Sequence, residues 1–243
     1  MAFPSWLPLG LGIRDYHESG ERTIINVLTK DGSKTHYPAE LFFRSSEDFG
    51  IFDELACQYA NGHVLDVGAG AGCITLGLQD LGFDVTGIEI SPEAVEVMKD
   101  LGVKDARCGD FFELKEEQWD TILLLMNGIG FTGNLEGLAR FLKHVDTILK
   151  PGGQILFDSS DLGMADLNAS DFTGEASKYD GEVWYQLEYK GIKGAPYYWL
   201  YVDQKTMAKY AAEAGFYFEL IDEGQEGYYF ARLTRLEEEF EFG

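Results

Sequence analysis

The sequence predicts an α/β protein built on a doubly wound, mostly parallel sheet of seven strands, with an antiparallel last strand and two accessory β-hairpins. Three observations carry this. Between residues 62 and 160, short apolar runs alternate with helix-periodic segments that end at glycine, and repeated strand–helix–strand units fold as a parallel sheet with helices on both faces. The run TILLLM, 121–126, is apolar after its first residue, as in a strand covered on both sides. The last two apolar runs, FYFELIDEG and YYFARLTR, have no helix between them, which leaves only antiparallel pairing.

The elements follow in order. In RTIINVLTKDGSKTHY, 22–37, a β-branched run meets Asp31-Gly32 and then a second run, a hairpin pattern. Ser46 is placed to cap a helix whose apolar residues Phe49, Phe52, Leu55, Ala56 and Tyr59 recur at helical spacing, up to Asn61-Gly62. Strands are expected at 64–67, 85–88, 105–108, 121–126 and 154–160, and helices at 74–81, 91–101 and 135–149. Ser91-Pro92-Glu93 starts its helix well, with a cap, a proline at the first position and an acid in the first turn. Gly82, Gly102 and the KPGG segment act as stops, and Asp203 caps a last helix that runs through Ala214 to Gly215. Residues 161–202 break the alternation: EVWYQLEYKGIKGAPYYWLYV holds two aromatic-rich runs about a Gly and Pro turn, a second hairpin. The expected layout is an N-terminal accessory segment with a hairpin, 1–45; a core from 46–160 and 203–235; an aromatic insertion, 161–202; and an acidic tail, 236–243.

Composition narrows the function. The chain has 243 residues, 45% of them apolar, enough for one large domain with a packed core. Nineteen basic residues against 42 acidic ones give a formal charge of −23. Capture of a nucleic acid needs clustered Lys and Arg, and no cluster is present, so nucleic acids and anionic membrane surfaces are disfavoured as partners. The three cysteines, Cys57, Cys73 and Cys108, match no metal or redox spacing and are read as reduced thiols of a cytoplasmic protein. The N-terminus lacks the pattern of a signal peptide, and no apolar run is long enough to span a bilayer.

The chemistry sits at HVLDVGAGAGCITLGL, 63–78, where Gly68, Gly70 and Gly72 occupy alternate positions between the first core strand and its helix. In an open parallel sheet, ligands bind beyond the C-terminal strand ends, and glycine there lets a ligand lie against the backbone and permits positive φ. The second strand ends in Glu89, 21 residues after Gly68, where a carboxylate can accept both hydroxyls of a ribose. The third is followed by Gly109-Asp110-Phe111, an acid for an exocyclic amine beside a ring for apolar contact. Together these describe an adenosine site. The dinucleotide fingerprint GxGxxG would put its third glycine at position 73, where this chain has Cys73. Asp66, just before the glycines, would repel a pyrophosphate and favour a cationic amino group or a sulfonium.

VLDVGAGAGCITLGLQDLGFDVTGIEISPEAVEVMK resembles the first two motifs of the class I S-adenosylmethionine-dependent methyltransferases. ARCGDFFEL resembles their third, WDTILLLMNGIG their fourth strand, and LKPGGQILF their post-catalytic motif. The likeness spans 46–160 and the final helix and strand pair. It implies a Rossmann-like methyltransferase fold, S-adenosylmethionine as cofactor, and roles by position. Asp66 with Gly68, Ala69 and Gly70 would line the methionine end, Glu89 would take the ribose hydroxyls, and Ile90 would pack on the adenine. Asp110 and Phe111 would address the base, Asn127 would lie near the transferring methyl group, and Arg44 would bind the cofactor carboxylate.

A sulfonium methyl leaves a neutral thioether, so the protein has chiefly to aim a nucleophile in line and exclude water. A base is needed only where the nucleophile must lose a proton. No triad is recognisable, and Asn127 and Asp158 are the catalytic candidates. Asp161, Trp184 and Tyr198 are candidate substrate contacts. The aromatic insertion (Trp184, Tyr185, Tyr189, Tyr197, Tyr198, Trp199, Tyr201) would cover an apolar or cationic small molecule; packing on the first hairpin or the sheet, or a dimer interface, are alternatives, so monomer and homodimer stay open. His63 and His144 are read as structural, and His17 and His36 as open to substrate. Relatives that methylate planar nitrogens carry Asn-Pro-Pro-aromatic where this chain has NGIG, so the acceptor is expected to be a small molecule rather than a nucleic acid base or a glutamine side chain. No metal is expected. Two rival readings remain: a catalytically silent cofactor-binding regulatory module, and an NAD-dependent oxidoreductase, which would need a Tyr-x-x-x-Lys pair or an equivalent acid after the fourth strand.

Overall fold

The elements, in chain order, are α1 (Leu7–Ser19), β1 (Ile24–Thr29), β2 (Lys34–Pro38), α2 (Ile51–Tyr59), β3 (His63–Val67), α3 (Cys73–Asp80), β4 (Asp84–Glu89), α4 (Pro92–Asp100), β5 (Asp105–Cys108), β6 (Trp119–Leu124), α5 (Leu135–Ile148), β7 (Leu149–Ser160), β8 (Glu182–Tyr189), β9 (Ile192–Lys193), β10 (Tyr197–Leu200), α6 (Gln204–Glu213), β11 (Phe216–Glu223) and β12 (Tyr228–Arg235). They come from a computed structural model that describes residues 3–164 and 179–236. Part of the aromatic insertion, 165–178, and the tail from 237 onward lie outside the described residues.

The main sheet has the order β11-β12-β7-β6-β3-β4-β5. Strands β3 to β7 run parallel, and β12 lies antiparallel between β7 and β11. From β3 the chain steps outward to β4 and β5, then returns to the other side of β3 for β6, so the strand order reverses between β3 and β6. That is where an open sheet forms a ligand crevice. Both faces are covered, which explains the unbroken apolar runs. Leu65, Ile122, Leu124, Phe157 and Tyr229 pack with α5 and α6 residues such as Phe141, Val145 and Met207. The alternate residues Val64, Leu123, Leu156 and Phe230 pack with Ala56, Ile74 and Leu78 on α2 and α3. Thr121 to Leu124 are all fully buried.

Several elements differ from expectation. Helix α1 has no counterpart in the sequence reading: Leu9, Ile13 and Tyr16 recur at helical spacing and pack inward, but Gly10 and Gly12 interrupt the segment and lower its helix propensity. A Cβ on Gly10 would lie 2.0 Å from Ser91 Oγ, and one on Gly12 would lie 2.7 Å from Ile25 Cγ1. The helix expected to start at Ser46 starts at Ile51: Ser46–Asp48 form a separate 3-10 turn, and Asp53 accepts the Gly50 N–H at 3.0 Å to cap α2. β6 begins earlier than expected, at Trp119, and β7 takes in the KPGG segment, with the pairing register shifting between Trp119 and Thr121.

The two expected hairpins both form, and they join. β1 pairs antiparallel with β8, giving a second sheet of order β10-β8-β1-β2 with β9 beside β8. Cross-strand pairs fix its faces: Ile25↔Tyr37, Val27↔Leu187, Thr29↔Tyr185 and Tyr185↔Tyr197 share the inward side. Leu9, Leu11 and Tyr16 of α1 pack on Ile25, Leu187 and Tyr189. Asp15 accepts from Tyr189 Oη at 2.9 Å and pairs with Lys190 Nζ at 2.6 Å. Trp199 lies against Gly130 in the turn Gly128–Thr132 after β6. The second sheet therefore spans from α1 to the tips of the main sheet.

Candidate functional site

The glycine turn after β3 is bound to the tip of β4: the N–H groups of Gly68 and Ala69 donate to Ile88 O at 2.9 and 3.2 Å. Gly68 (φ 73°) and Gly70 (φ 59°) are both left-handed, a conformation open to glycine at no steric cost. A Cβ on Gly68 would meet nothing within 4 Å, so its face is open. A Cβ on Gly70 would stand 2.7 Å from the Phe42 ring, part of the turn Ala39–Phe43 that follows β2. The Ala69 side chain packs inward with Val95, Met98 and Val103.

Three acidic groups sit at the adjacent tips. Glu89 is 8% exposed and accepts from the Gly70 N–H (3.1 Å) and the Ser91 N–H (3.0 Å), one on each oxygen. Burial raises its pKa. Asp66 accepts from Thr75 Oγ at 2.6 Å, and burial, with the Glu89 charge adding to it, pushes its pKa up to about 6. Gly109 N donates to Glu89 O at 3.0 Å, which draws the end of β5 alongside. There Asp110 is exposed and caps the turn Phe111–Glu113 by accepting the Phe112 N–H at 2.9 Å. Ile90 is exposed at the β4 tip. Phe111 departs from its expected place over a base. Its ring is buried among Phe131, Phe141 and His144, at centroid distances of 5.5, 5.3 and 5.1 Å, because the turn capped by Asp110 directs it into the core.

The β6 and β7 ends hold a second group. Met126 (φ 59°) and Asn127 (φ 54°) are consecutive left-handed residues, an arrangement costly for side-chain-bearing residues and kept only where the surroundings enforce it. Asp158 enforces it: both carboxylate oxygens accept the Asn127 N–H, at 3.1 and 3.0 Å. Asn127 Oδ1 accepts from Ser160 Oγ at 3.0 Å, and Asn127 Nδ2 donates to Tyr228 Oη. Asp158 is 3% exposed, and burial pushes its pKa up to about 7 against the lowering effect of the Asn127 N–H. Arg44 pairs instead with Asp53 of α2, at 3.2 Å. Its Nε is buried with no hydrogen-bond partner among the described residues.

The inward face of the second sheet completes the surroundings. Tyr185 and Tyr201 meet through their hydroxyls at 3.1 Å, and the Tyr185 and Tyr197 ring centroids are 6.3 Å apart. Tyr37 lies within electrostatic reach of Tyr228, Arg44 and Asp158, Tyr197 of Tyr37, and Tyr201 of Tyr228. Burial raises the pKa of each phenol, that of Tyr37 to about 12. The expected contacts Trp184 and Tyr198 are paired with each other on the opposite, outer face, since successive strand residues point to opposite sides. Asp161 turns away to close a loop, accepting the Gly163 N–H at 2.9 Å.

Sequence reasoning missed Tyr37, Ser160 and Tyr228 as members of this group. Strand parity was the one signal that could have found them, given the pairing. His63 bonds Thr86 and His144 bonds Phe111 O, both at 3.1 Å, in structural positions. His36 bonds Asn26 on the outer face, and His17 lies 3.6 Å from Asp100. A hollow of about 490 Å³ lined by Arg22, Ile24, Asn26 and His36 is also on the outer face, away from these acids. A smaller one of about 290 Å³ lies between the segment after β2 and helix α3, touching Phe42, Arg44, Cys73 and Gly77. The open face of Gly68, the deep carboxylates and the spare Arg44 N–H fit a nucleoside that carries both a cationic centre and a carboxylate.

Comparison with known proteins agrees. The profile of a family described as a methyltransferase domain matches residues 65–157. An S-adenosylmethionine-dependent methyltransferase of Bacteroides fragilis, crystallised with S-adenosyl-L-homocysteine, is 39% identical, with 97% of this chain and 98% of that one covered and a TM-score of 0.85. A sterol 4-C-methyltransferase of Caenorhabditis elegans is 28% identical over 105 residues, 40% of this chain; the match spans 30% of that protein's length. An S-adenosylmethionine-dependent methyltransferase of Clostridium acetobutylicum, 15% identical with 74% of this chain and 87% of that one covered, shares the fold at a TM-score of 0.55. The chain belongs to the S-adenosylmethionine-dependent methyltransferases, and its cofactor is S-adenosylmethionine.

Proposed function

We propose that this enzyme methylates a small molecule held between the strand tips and the tyrosine face of the second sheet. One observation carries the reading. Asp158 is a deeply buried carboxyl at the crevice with no basic side chain bonded to it among the described residues, and perturbed acids of that kind gather at functional sites. Residues 46–160 and 203–235 form the catalytic core in this reading, with the other described segments as its cover.

Glu89 keeps lone pairs free beyond its two N–H donors and takes the ribose hydroxyls. Ile90 and Asp110 address the adenine, the Phe111 ring being committed to the core. Gly68 gives the open backbone, with Ala69 and Gly70 shaping the turn. Asp66 favours the cationic amino end, Arg44 Nε donates to the carboxylate, and Asn127 lies near the reacting centre. The bound cofactor supplies a methyl group already activated on sulfur. Asp158 receives the acceptor's proton, and the tyrosine face excludes water. A charge of −23 argues against nucleic acid as substrate. Among the described residues no helix is long and apolar enough to cross a membrane, and three free thiols favour a cytoplasmic setting.

The test is transfer of a labelled methyl group from the cofactor into the small-molecule fraction of a deproteinised cell extract. Asp158→Asn is expected to lower kcat by about 10²-fold and to remove the rise in rate through pH 7, while S-adenosyl-L-homocysteine affinity by calorimetry stays intact. Tight cofactor binding without transfer to any extract component would leave the silent module standing.

A further inference from the structure

We propose that the acceptor is a small amine with an apolar body, gathered as its ammonium form by the tyrosine face and freed of a proton by Asp158. This rests on the methyltransferase reading above and names its substrate class.

The charges that face the space decide against anionic acceptors. Asp66 on β3, Glu89 on β4 and Asp158 on β7 are buried acids. Arg44 is the basic group beside them, and it is already paired to Asp53 at 3.2 Å. A carboxylate or phosphate acceptor would enter a site of its own sign, with no unpaired basic side chain beside these acids among the described residues. A cation enters with the field, and the whole chain carries −23.

The walls favour the same class. Tyr37, Tyr185, Tyr197 and Tyr228 come from four strands, β2, β8, β10 and β12, and Tyr201 directly follows β10; Tyr37 and Tyr228 lie within electrostatic reach of Asp158, and Tyr197 and Tyr201 lie within reach of those two. Tyr185 meets Tyr197 and Tyr201 edge to face, at 6.3 and 6.5 Å. Such an arrangement presents electron-rich faces, which attract ammonium groups more strongly where water is excluded. Buried phenols with raised pKa stay neutral and accept N–H donors. An alcohol acceptor is neutral and lacks the cationic attraction to these faces.

The reaction balances. The ammonium gives one proton to the Asp158 carboxylate, leaving a neutral amine and a neutral carboxyl. The nitrogen lone pair then forms the N–C bond as the C–S bond breaks, and that electron pair stays on sulfur as a thioether. The product is a methylated ammonium, again a cation between the rings, and Asp158 passes its proton to solvent as the product leaves.

The test is calorimetric and needs no turnover. With the protein saturated in S-adenosyl-L-homocysteine, 2-phenylethylamine, 2-phenylethanol and 3-phenylpropionate are titrated in turn. The amine is expected to bind about tenfold more tightly than the alcohol, with the carboxylate weakest. Tyr197→Leu, and separately Tyr185→Leu, should cost about tenfold in amine affinity, while Tyr197→Phe, which keeps the ring, stays within about threefold of the parent. An amine no tighter than the alcohol or the carboxylate, including no detectable amine binding, overturns the inference. So does unchanged amine affinity in a folded Leu variant that still binds S-adenosyl-L-homocysteine. Failure of S-adenosyl-L-homocysteine itself to bind would strike the methyltransferase reading instead.

Discussion

Glu89 and Asp158 show how far single residues could be read in advance. Both were proposed from their positions at strand ends, because a parallel sheet puts those ends on one edge, and the fold places both there. Glu89→Ala removes the acceptor of two backbone N–H groups and the proposed ribose contact, and should weaken S-adenosyl-L-homocysteine binding by about 1–3 kcal/mol, measured by calorimetry. Unchanged affinity would remove Glu89 from the site. Asp66 and Asp158 make a different prediction. Their folded pKa values are raised to about 6 and about 7, so the folded protein holds protons that the unfolded chain releases near pH 4. Stability then declines as pH rises from about 4 to about 7. Asp158→Asn removes one such penalty, so its melting temperature should gain more over the parent at pH 8 than at pH 5. The same substitution that slows catalysis would steady the fold, a trade between activity and stability. Side-chain direction was less legible than position. Phe111 was placed on the correct turn with its ring assigned to the wrong side, and Trp184 and Tyr198 each stand one residue from an inward tyrosine.

Among the elements, the core strands and helices were legible because glycine stops and apolar runs agree with each other from β3 through α5. Helix α1 was not. Gly10 and Gly12 lower its helix propensity although Leu9, Ile13 and Tyr16 lie on its packed face, and its place over the start of α4 depends on a partner distant in sequence. The start of α2 slipped because Ser45 and Gly50 each stand three residues before an acid, Asp48 and Asp53, and the chain spends the first of these pairs on a separate turn. Gly10→Val tests the docking of α1. With a Cβ already 2.0 Å from Ser91 Oγ, the larger side chain must lift the helix off the β4–α4 junction, whose Ser91 N–H holds Glu89. A loss of about 1–3 kcal/mol in stability is expected, with weaker S-adenosyl-L-homocysteine binding, by thermal denaturation and calorimetry. Unchanged values for both would mean that α1 has no part in holding that junction.

At the scale of the whole molecule, the doubly wound sheet followed from repetition, whereas the second sheet did not follow from anything local. Each hairpin announced itself through its own turn, yet nothing within 24–38 or 182–200 specifies that Val27 stands opposite Leu187. That register is set by the apolar surfaces each brings to α1 and by the tyrosines each turns toward the crevice. One wall of the proposed acceptor site is thus woven from two stretches about 160 positions apart along the chain. Acceptor choice is therefore inherited jointly by both stretches. A chimera that imports only the later one from a relative would meet a foreign seam along β1, and a change of preference would have to be transplanted as a matched pair.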